Sequence, residues 1–255
     1  MHDISVEILQ NTSVNDSFSL LTFKYPYPVK PGQFVHVRLN EQIDPYLRRP
    51  FSIHDYNASK KQVTLLYKLI GKGTKYLALQ PKGTKLAVLG PLGNTFDLTK
   101  VKKGSKVTLV GGGIGFAPLF YLTKELVKKK ADVSVFIGFK TKKEIFIDPA
   151  WKKLCKKIYI STDDGTSGHK GFVGACFAEQ MKKTTFDQVF TCGPELMMKH
   201  VYTLCTQASV PLQLSLESIM ACALGACMCC VTETLHGYKK VCSDGPVFKR
   251  EELQW

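Results

Sequence analysis

Between residues 222 and 242 the chain places Cys222, Cys227, Cys230 and Cys242 in a C-x4-C-x2-C run with a fourth cysteine after eleven intervening residues. This run sits in a C-terminal stretch, 217–255, that has little hydrophobic periodicity and is too short to hold a fold by apolar burial alone. A metal centre would hold it, because ligand binding supplies folding free energy directly. C-x4-C-x2-C with a distant fourth cysteine is the spacing of plant-type 2Fe–2S sites. Structural zinc remains an alternative, although zinc sites more often use two separated ligand pairs. Small residues between the ligands (Ala223, Gly225, Ala226) suit a tight loop whose N–H groups could point at the sulfurs. Cys229 breaks the spacing and is read as a non-ligand.

The other cysteines of the nine, Cys155, Cys176, Cys192 and Cys205, are scattered among apolar residues and read mainly as small buried hydrophobes. A cysteine-rich chain without a secretory leader or an apolar run of about eighteen residues is expected to be cytoplasmic and not to enter a membrane. The formal charge of +14 raises nucleic acid as a partner, but only four of the 35 basic residues are arginine and the lysines are dispersed. A lysine-rich solvated surface is the better reading, and no nucleic-acid partner is expected.

With 255 residues, 44% of them hydrophobic, the chain can build two or three cores. Residues 1–98 read as β: "SFSLLTF" (17–23), "QFVHVRL" (33–39) and "QVTLLYKLI" (62–70) are short apolar runs between Pro and Gly turns, which predicts an antiparallel β-barrel. Residues 99–216 alternate strand-like and helix-like segments, beginning with "KVTLV" (106–110) and "GFAPLFYLTKELVKKK" (115–130). That rhythm predicts a parallel sheet covered on both faces. The expected architecture is therefore multidomain, β plus α/β: a barrel at 1–98, a parallel-sheet nucleotide-binding domain at 99–216, and a small cysteine domain at 217–255.

Two sets of residues could hold cofactors. "LVGGGIGFAPL" (109–119) is a strand, a glycine turn and a helix start, in which Gly112, Gly113 and Gly115 would let a phosphate approach the backbone; an ordinary tight turn would read the same way. "TCGPELM" (191–197) puts Cys192 and Gly193 at the C-terminal end of a later strand, the edge where open α/β sheets bind ligands. At that edge Asp163 and Asp164 could accept from a ribose 2′-OH and would repel a 2′-phosphate, which favours NAD, unless they only form a solvated turn. In the barrel, Arg49 of "RRPFSI" (48–53) can clamp a pyrophosphate and Ser52 can hydrogen-bond a flavin edge, while "GKGT" (71–74) offers donors to phosphate.

The order of these pieces, Arg-Pro-Phe-Ser, Gly-x-Gly-Thr, "LGPLGNTF", Gly-Gly-Gly-x-Gly-x-Ala-Pro and Cys-Gly-Pro, resembles the ferredoxin–NADP reductase superfamily over about residues 1–215. The resemblance implies an FAD barrel followed by a nicotinamide domain. It places Arg49, Pro50, Phe51 and Ser52, with Tyr67, Lys68 and Leu69, on the flavin. Lys72, Gly73 and Thr74 fall on its phosphate arm, and Gly112, Gly113, Gly115, Asp163 and Gly193 on the nicotinamide nucleotide. Superfamily members that use NADP often carry Ser and Arg where this chain has "STDD". The tail "SLESIMACALGACMCC…GYKKVCSDGPVF" further resembles the electron-transfer subunits of B-type dihydroorotate dehydrogenases. That likeness implies FAD, a 2Fe–2S cluster and NAD as cofactors. It also implies a separate FMN-containing catalytic subunit, in a heterotetramer with two chains of each kind. Cys192 and Glu217 are the candidates for groups at the flavin–nicotinamide contact, although Glu217 could be a surface charge before a loop. A sister module feeding a hydrogenase or a ferredoxin shares the motif order, and a zinc-stapled binding module would be colourless.

Overall fold

The computed structural model describes residues 1–40, 44–155 and 157–255. Six antiparallel strands, β1 (His2–Ser13), β2 (Phe18–Lys24), β3 (Phe34–Arg38), β4 (Arg49–Asn57), β5 (Gln62–Lys68) and β6 (Lys85–Leu92), close into a barrel in the order β1-β2-β5-β4-β3-β6. Alternating residues such as Val35 and Val37, or Val63, Leu65 and Tyr67, fill its interior, as period-two patterning requires. Between β5 and β6 the segment "GKGT", read from the sequence as a source of donors to phosphate, opens a short helix, α1 (Lys72–Ala78). The Thr74 hydroxyl accepts from the backbone N–H groups of Ile70 (3.0 Å) and Gly71 (3.3 Å), so a capping threonine starts the turn.

A seven-stranded sheet follows. Its strands are β7 (Lys106–Gly112), β8 (Asp132–Phe139), β9 (Lys157–Thr162), β10 (His169–Lys170), β11 (Gln188–Cys192), β12 (Leu212–Ser215) and a late arrival, β15 (Val247–Lys249). The order is β10-β9-β8-β7-β11-β12-β15, with every pairing parallel except β12 with β15. Helices α2 (Ala117–Lys128), α3 (Pro149–Leu154), α4 (Val173–Met181) and α5 (Glu195–Gln207) cover the sheet. From β7 the chain winds outward in one direction and from β11 in the other, so a crevice opens between their C-terminal ends. Barrel and sheet are locked together by α2 against β4: His54 Nδ1 lies 2.7 Å from the Ala117 carbonyl, its ring stacks on Phe120, and the Tyr121 hydroxyl donates to the Val29 carbonyl at 3.0 Å.

The tail contributes a hairpin, β13 (Val231–Thr234) with β14 (Gly237–Lys240), and then β15. Besides the expected metal centre, the tail has anchors on the rest of the chain. Residues Val247–Lys249 add an edge strand to the nucleotide sheet. The Asn94 side chain of the barrel binds the Asp244 carbonyl (3.0 Å) and both the carbonyl (2.7 Å) and N–H (2.9 Å) of Val247. Cys230, Val241, Cys242 and Phe248 also share one buried cluster with Leu92, Leu214 and Leu216. The tail thus borrows the sheet's core instead of building its own. Among the described residues no helix is long and apolar enough to cross a membrane.

Candidate functional site: two adjoining cavities and a cysteine turn

The first cavity, about 250 Å³, opens where the barrel meets the end of β12. Arg49, Pro50, Phe51, Ser52, Tyr67, Lys68 and Thr74 line it, as sequence reading expected. Leu69, Lys72 and Gly73 do not. Leu69 packs on the barrel core, and Lys72 pairs with Asp44 on the surface. Gly73 acts by what it lacks: a Cβ there would meet Leu39 Cδ1 at 2.9 Å and Arg49 Nε at 3.2 Å, so glycine lets α1 close on the arginine without displacing either side chain. Arg49 is aimed by its bonds to the Leu47 and Arg48 carbonyls. Tyr67 donates to Asn11 Oδ1 at 3.0 Å, and burial pushes its phenol up to about 12, so it stays a neutral donor.

The second cavity, about 530 Å³, lies over the crevice between β7 and β11. Gly112, Gly113 and Gly115 form one wall and Gly193 and Pro194 the other. A Cβ on Gly115 would run into the backbone of Cys192 and Gly193, and one on Gly193 (φ +149°) would meet Gly112 N at 2.8 Å. The two turns therefore touch backbone to backbone. Gly113 (φ +53°) has no atom within 4 Å of its Cβ position, which leaves its main chain open.

Asp163 lines this cavity, and burial raises its pKa while Lys140 opposes the rise. Asp164 does not line it. Its carboxylate accepts from the N–H (3.0 Å) and hydroxyl (2.6 Å) of Thr166, which hold it below the usual range, so of the two aspartates it is the turn residue. Cys192 is buried outside both cavity walls. Its thiol is pushed well up by burial and then by the Glu217 charge.

Lys68, Ile114 and Glu217 line both cavities, which makes them neighbours across one shared wall. Glu217 keeps an exposed surface toward these spaces, yet crowding by protein atoms raises its pKa above the usual carboxylate value. Sequence reading missed Lys140, Glu144, Phe172 and His200 around the second cavity and Phe34, Met220 and Pro246 around the first. Met220 and Pro246 stand in the tail read for its cysteines, and the others belong to no motif. Only the sheet's crossover and the return of the tail bring them in.

The four predicted thiols come together as two pairs. Cys222 Sγ accepts from the N–H groups of Leu224 (3.3 Å) and Cys227 (3.4 Å), which lower its pKa to about 6, and it interacts with the Cys227 side chain. Cys230 Sγ accepts from Cys242 N (3.4 Å). The Cys242 thiol is raised by burial and by Cys230, and also feels Cys222. Left-handed backbone at Ala223, Gly225 and Met228 shapes the tight turn that carries Leu224 and Cys227. Among the described residues no three His, Cys, Asp or Glu side chains converge to hold a metal ion by themselves. Paired thiolates suit a binuclear cluster, with two on each iron, better than one tetrahedral zinc. Cys229 stays apart, exposed, with its thiol donating to the Ile219 carbonyl at 3.5 Å.

A flavin-sized space in a barrel, a glycine crevice on a switch-point sheet and a paired-cysteine tail define a flavin- and iron–sulfur-dependent oxidoreductase subunit that uses NAD. Residues 109–203 match the oxidoreductase NAD-binding domain, and residues 217–254 match the iron–sulfur cluster binding domain of dihydroorotate dehydrogenase B. The dihydroorotate dehydrogenase B (NAD(+)) electron transfer subunit of Clostridium acetobutylicum is 39% identical over 97% of this chain and 95% of its own length. That of Shouchella clausii is 43% identical over 88% of this chain and 86% of its own. An NADH-dependent reduced ferredoxin–NADP oxidoreductase structure superposes with a TM-score of 0.87 at 29% identity, covering 98% of this chain and 90% of that one. The chain belongs to the family of dihydroorotate dehydrogenase B electron transfer subunits. Its cofactors are FAD, a 2Fe–2S cluster and NAD.

Proposed function

We propose that this chain carries electrons away from a separate FMN-containing subunit that oxidises dihydroorotate to orotate, and delivers them to NAD⁺. The observation that supports this reading best is the shared wall of Lys68, Ile114 and Glu217, with the cysteine pairs on the tail that closes the first cavity. FAD bound there supplies exchange of both single electrons and hydride, the cluster exchanges single electrons, and the nicotinamide exchanges hydride. In this reading Arg49 clamps the flavin pyrophosphate from the mouth of the barrel, and Ser52 and Tyr67 orient its ring. Gly112, Gly113, Gly115 and Gly193 let the dinucleotide lie against bare backbone, and Asp163 accepts from its ribose. Ile114 and Leu216 keep water from the contact, where Glu217 presents a carboxylate and Cys192 supports the wall from behind. Cys222 and Cys227 would hold one iron and Cys230 and Cys242 the other. The flavin, nucleotide and cluster sites are assigned to 1–98, 99–216 and 217–255, with β15 returning to the nucleotide sheet.

Ile219, Met228 and Tyr238, respectively 82%, 54% and 72% exposed, give the cysteine tail apolar surface that suits a docked catalytic subunit in a heterotetramer. Nine free thiols fit the reducing conditions of the cytoplasm. Anaerobic co-purification tests this reading. The chain should emerge yellow-brown, its colour should bleach with NADH, and NAD⁺ reduction driven by dihydroorotate should require the co-purifying FMN subunit. A colourless, zinc-only protein would overturn the reading. A hydrogenase or ferredoxin as the sole partner would replace the substrate.

A further inference from the structure

We propose that the Met220 side chain is the bridge through which electrons pass between the cysteine turn and the flavin cavity. This rests on the function proposed above. Met220 is buried, 7% exposed, and lines the flavin cavity. It belongs to the same buried cluster as Cys230 and Cys242, and it lies two residues before Cys222. Phe34 and Leu216 also belong to both the cavity wall and that cluster, but they are anchored on the barrel and at the end of β12. Met220 alone of the three rides on the cysteine segment. An unbranched, polarisable thioether is the side chain best able to fill an irregular gap without leaving a void. Electronic coupling decays more slowly through packed atoms than across empty space or water, so a filled wall transmits and a cavity does not.

No bond forms or breaks at Met220, and its sulfur keeps its oxidation state. Each transfer moves one electron between cluster and flavin. Two such transfers, with one proton, make up the hydride that NAD⁺ accepts from the reduced flavin.

The test runs the relay backwards in the intact holoprotein. NADH is mixed anaerobically in a stopped-flow instrument, and flavin and cluster bleaching are followed separately in wild type, Met220→Ala and Met220→Leu. FAD and iron content and both reduction potentials are measured alongside. In the alanine variant, cluster bleaching should slow several-fold relative to flavin bleaching in the same sample, at full iron content and an unchanged cluster potential. The leucine variant, which refills the gap, should recover most of the rate. Cluster bleaching at the wild-type rate in a fully loaded alanine variant would overturn the proposal. So would loss of iron or a shifted cluster potential in either variant, because Met220 would then be a structural residue of the cysteine turn. A wild-type protein without flavin or iron would bring down the functional reading itself, and this inference with it.

Discussion

Asp163 and Asp164 are adjacent and chemically identical, yet only Asp163 lines the second cavity, the one proposed for the dinucleotide, because Thr166 claims its neighbour. Asp163→Ala should therefore weaken discrimination between NADH and NADPH, chiefly by letting the 2′-phosphate in. Asp164→Ala should leave the ratio of kcat/KM values near wild type. Flavin bleaching by each nucleotide measures this. His36 makes a second point at the same scale. It is fully buried in β3, neither ring nitrogen finds a hydrogen-bond partner among the described residues, and burial above all lowers its pKa to about 4. A depressed histidine supplies stability that is present above the unfolded value of about 6.5 and is lost as pH falls toward the folded one. Wild type should lose up to about 3 kcal/mol through this group between pH 6.5 and 4. His36→Leu, measured by urea unfolding across that window, should lose less, while His54, lowered in the same direction, continues to act.

At the level of elements, barrel, alternating sheet and cysteine tail were legible in the sequence because each rests on local pattern: period two, strand–helix rhythm and ligand spacing. The "GKGT" helix was not, because two glycines argue against a helix, and only the Thr74 cap and the approach of Gly73 to Arg49 justify one. The edge strand β15 was not legible either. "VFK" is three residues long, and its partner β12 lies more than thirty residues upstream. Asn94 lies inside "LGPLGNTF", but nothing in that motif foretold that it ties the barrel to Asp244 and Val247. Asn94→Ala strands those backbone groups and should cost about 2–3 kcal/mol. Visible absorbance followed against far-ultraviolet circular dichroism should show the cluster bleaching before the barrel melts.

For the whole molecule, the cysteine turn sits at the surface and the two cavities open behind it. A partner that supplies electrons can then dock without obstructing the dinucleotide. Met228→Lys with Tyr238→Glu should abolish co-purification of the FMN subunit and dihydroorotate-driven NAD⁺ reduction. The isolated double variant should keep its full iron content and its NADH-driven flavin bleaching at the wild-type rate. Unchanged association would place the docking face elsewhere.

The return of β15 to the sheet has a consequence for damage. Val247 is in register with Ser215, and Ser215 is part of the flavin wall. Oxidative stripping of iron would remove one anchor of the turn that precedes β15 and leave Asn94 and the buried cluster to hold this margin. What slackening they allow would arrive at the flavin's own seat, so a chain with a broken relay would also weaken the grip that lets it consume oxidised nicotinamide.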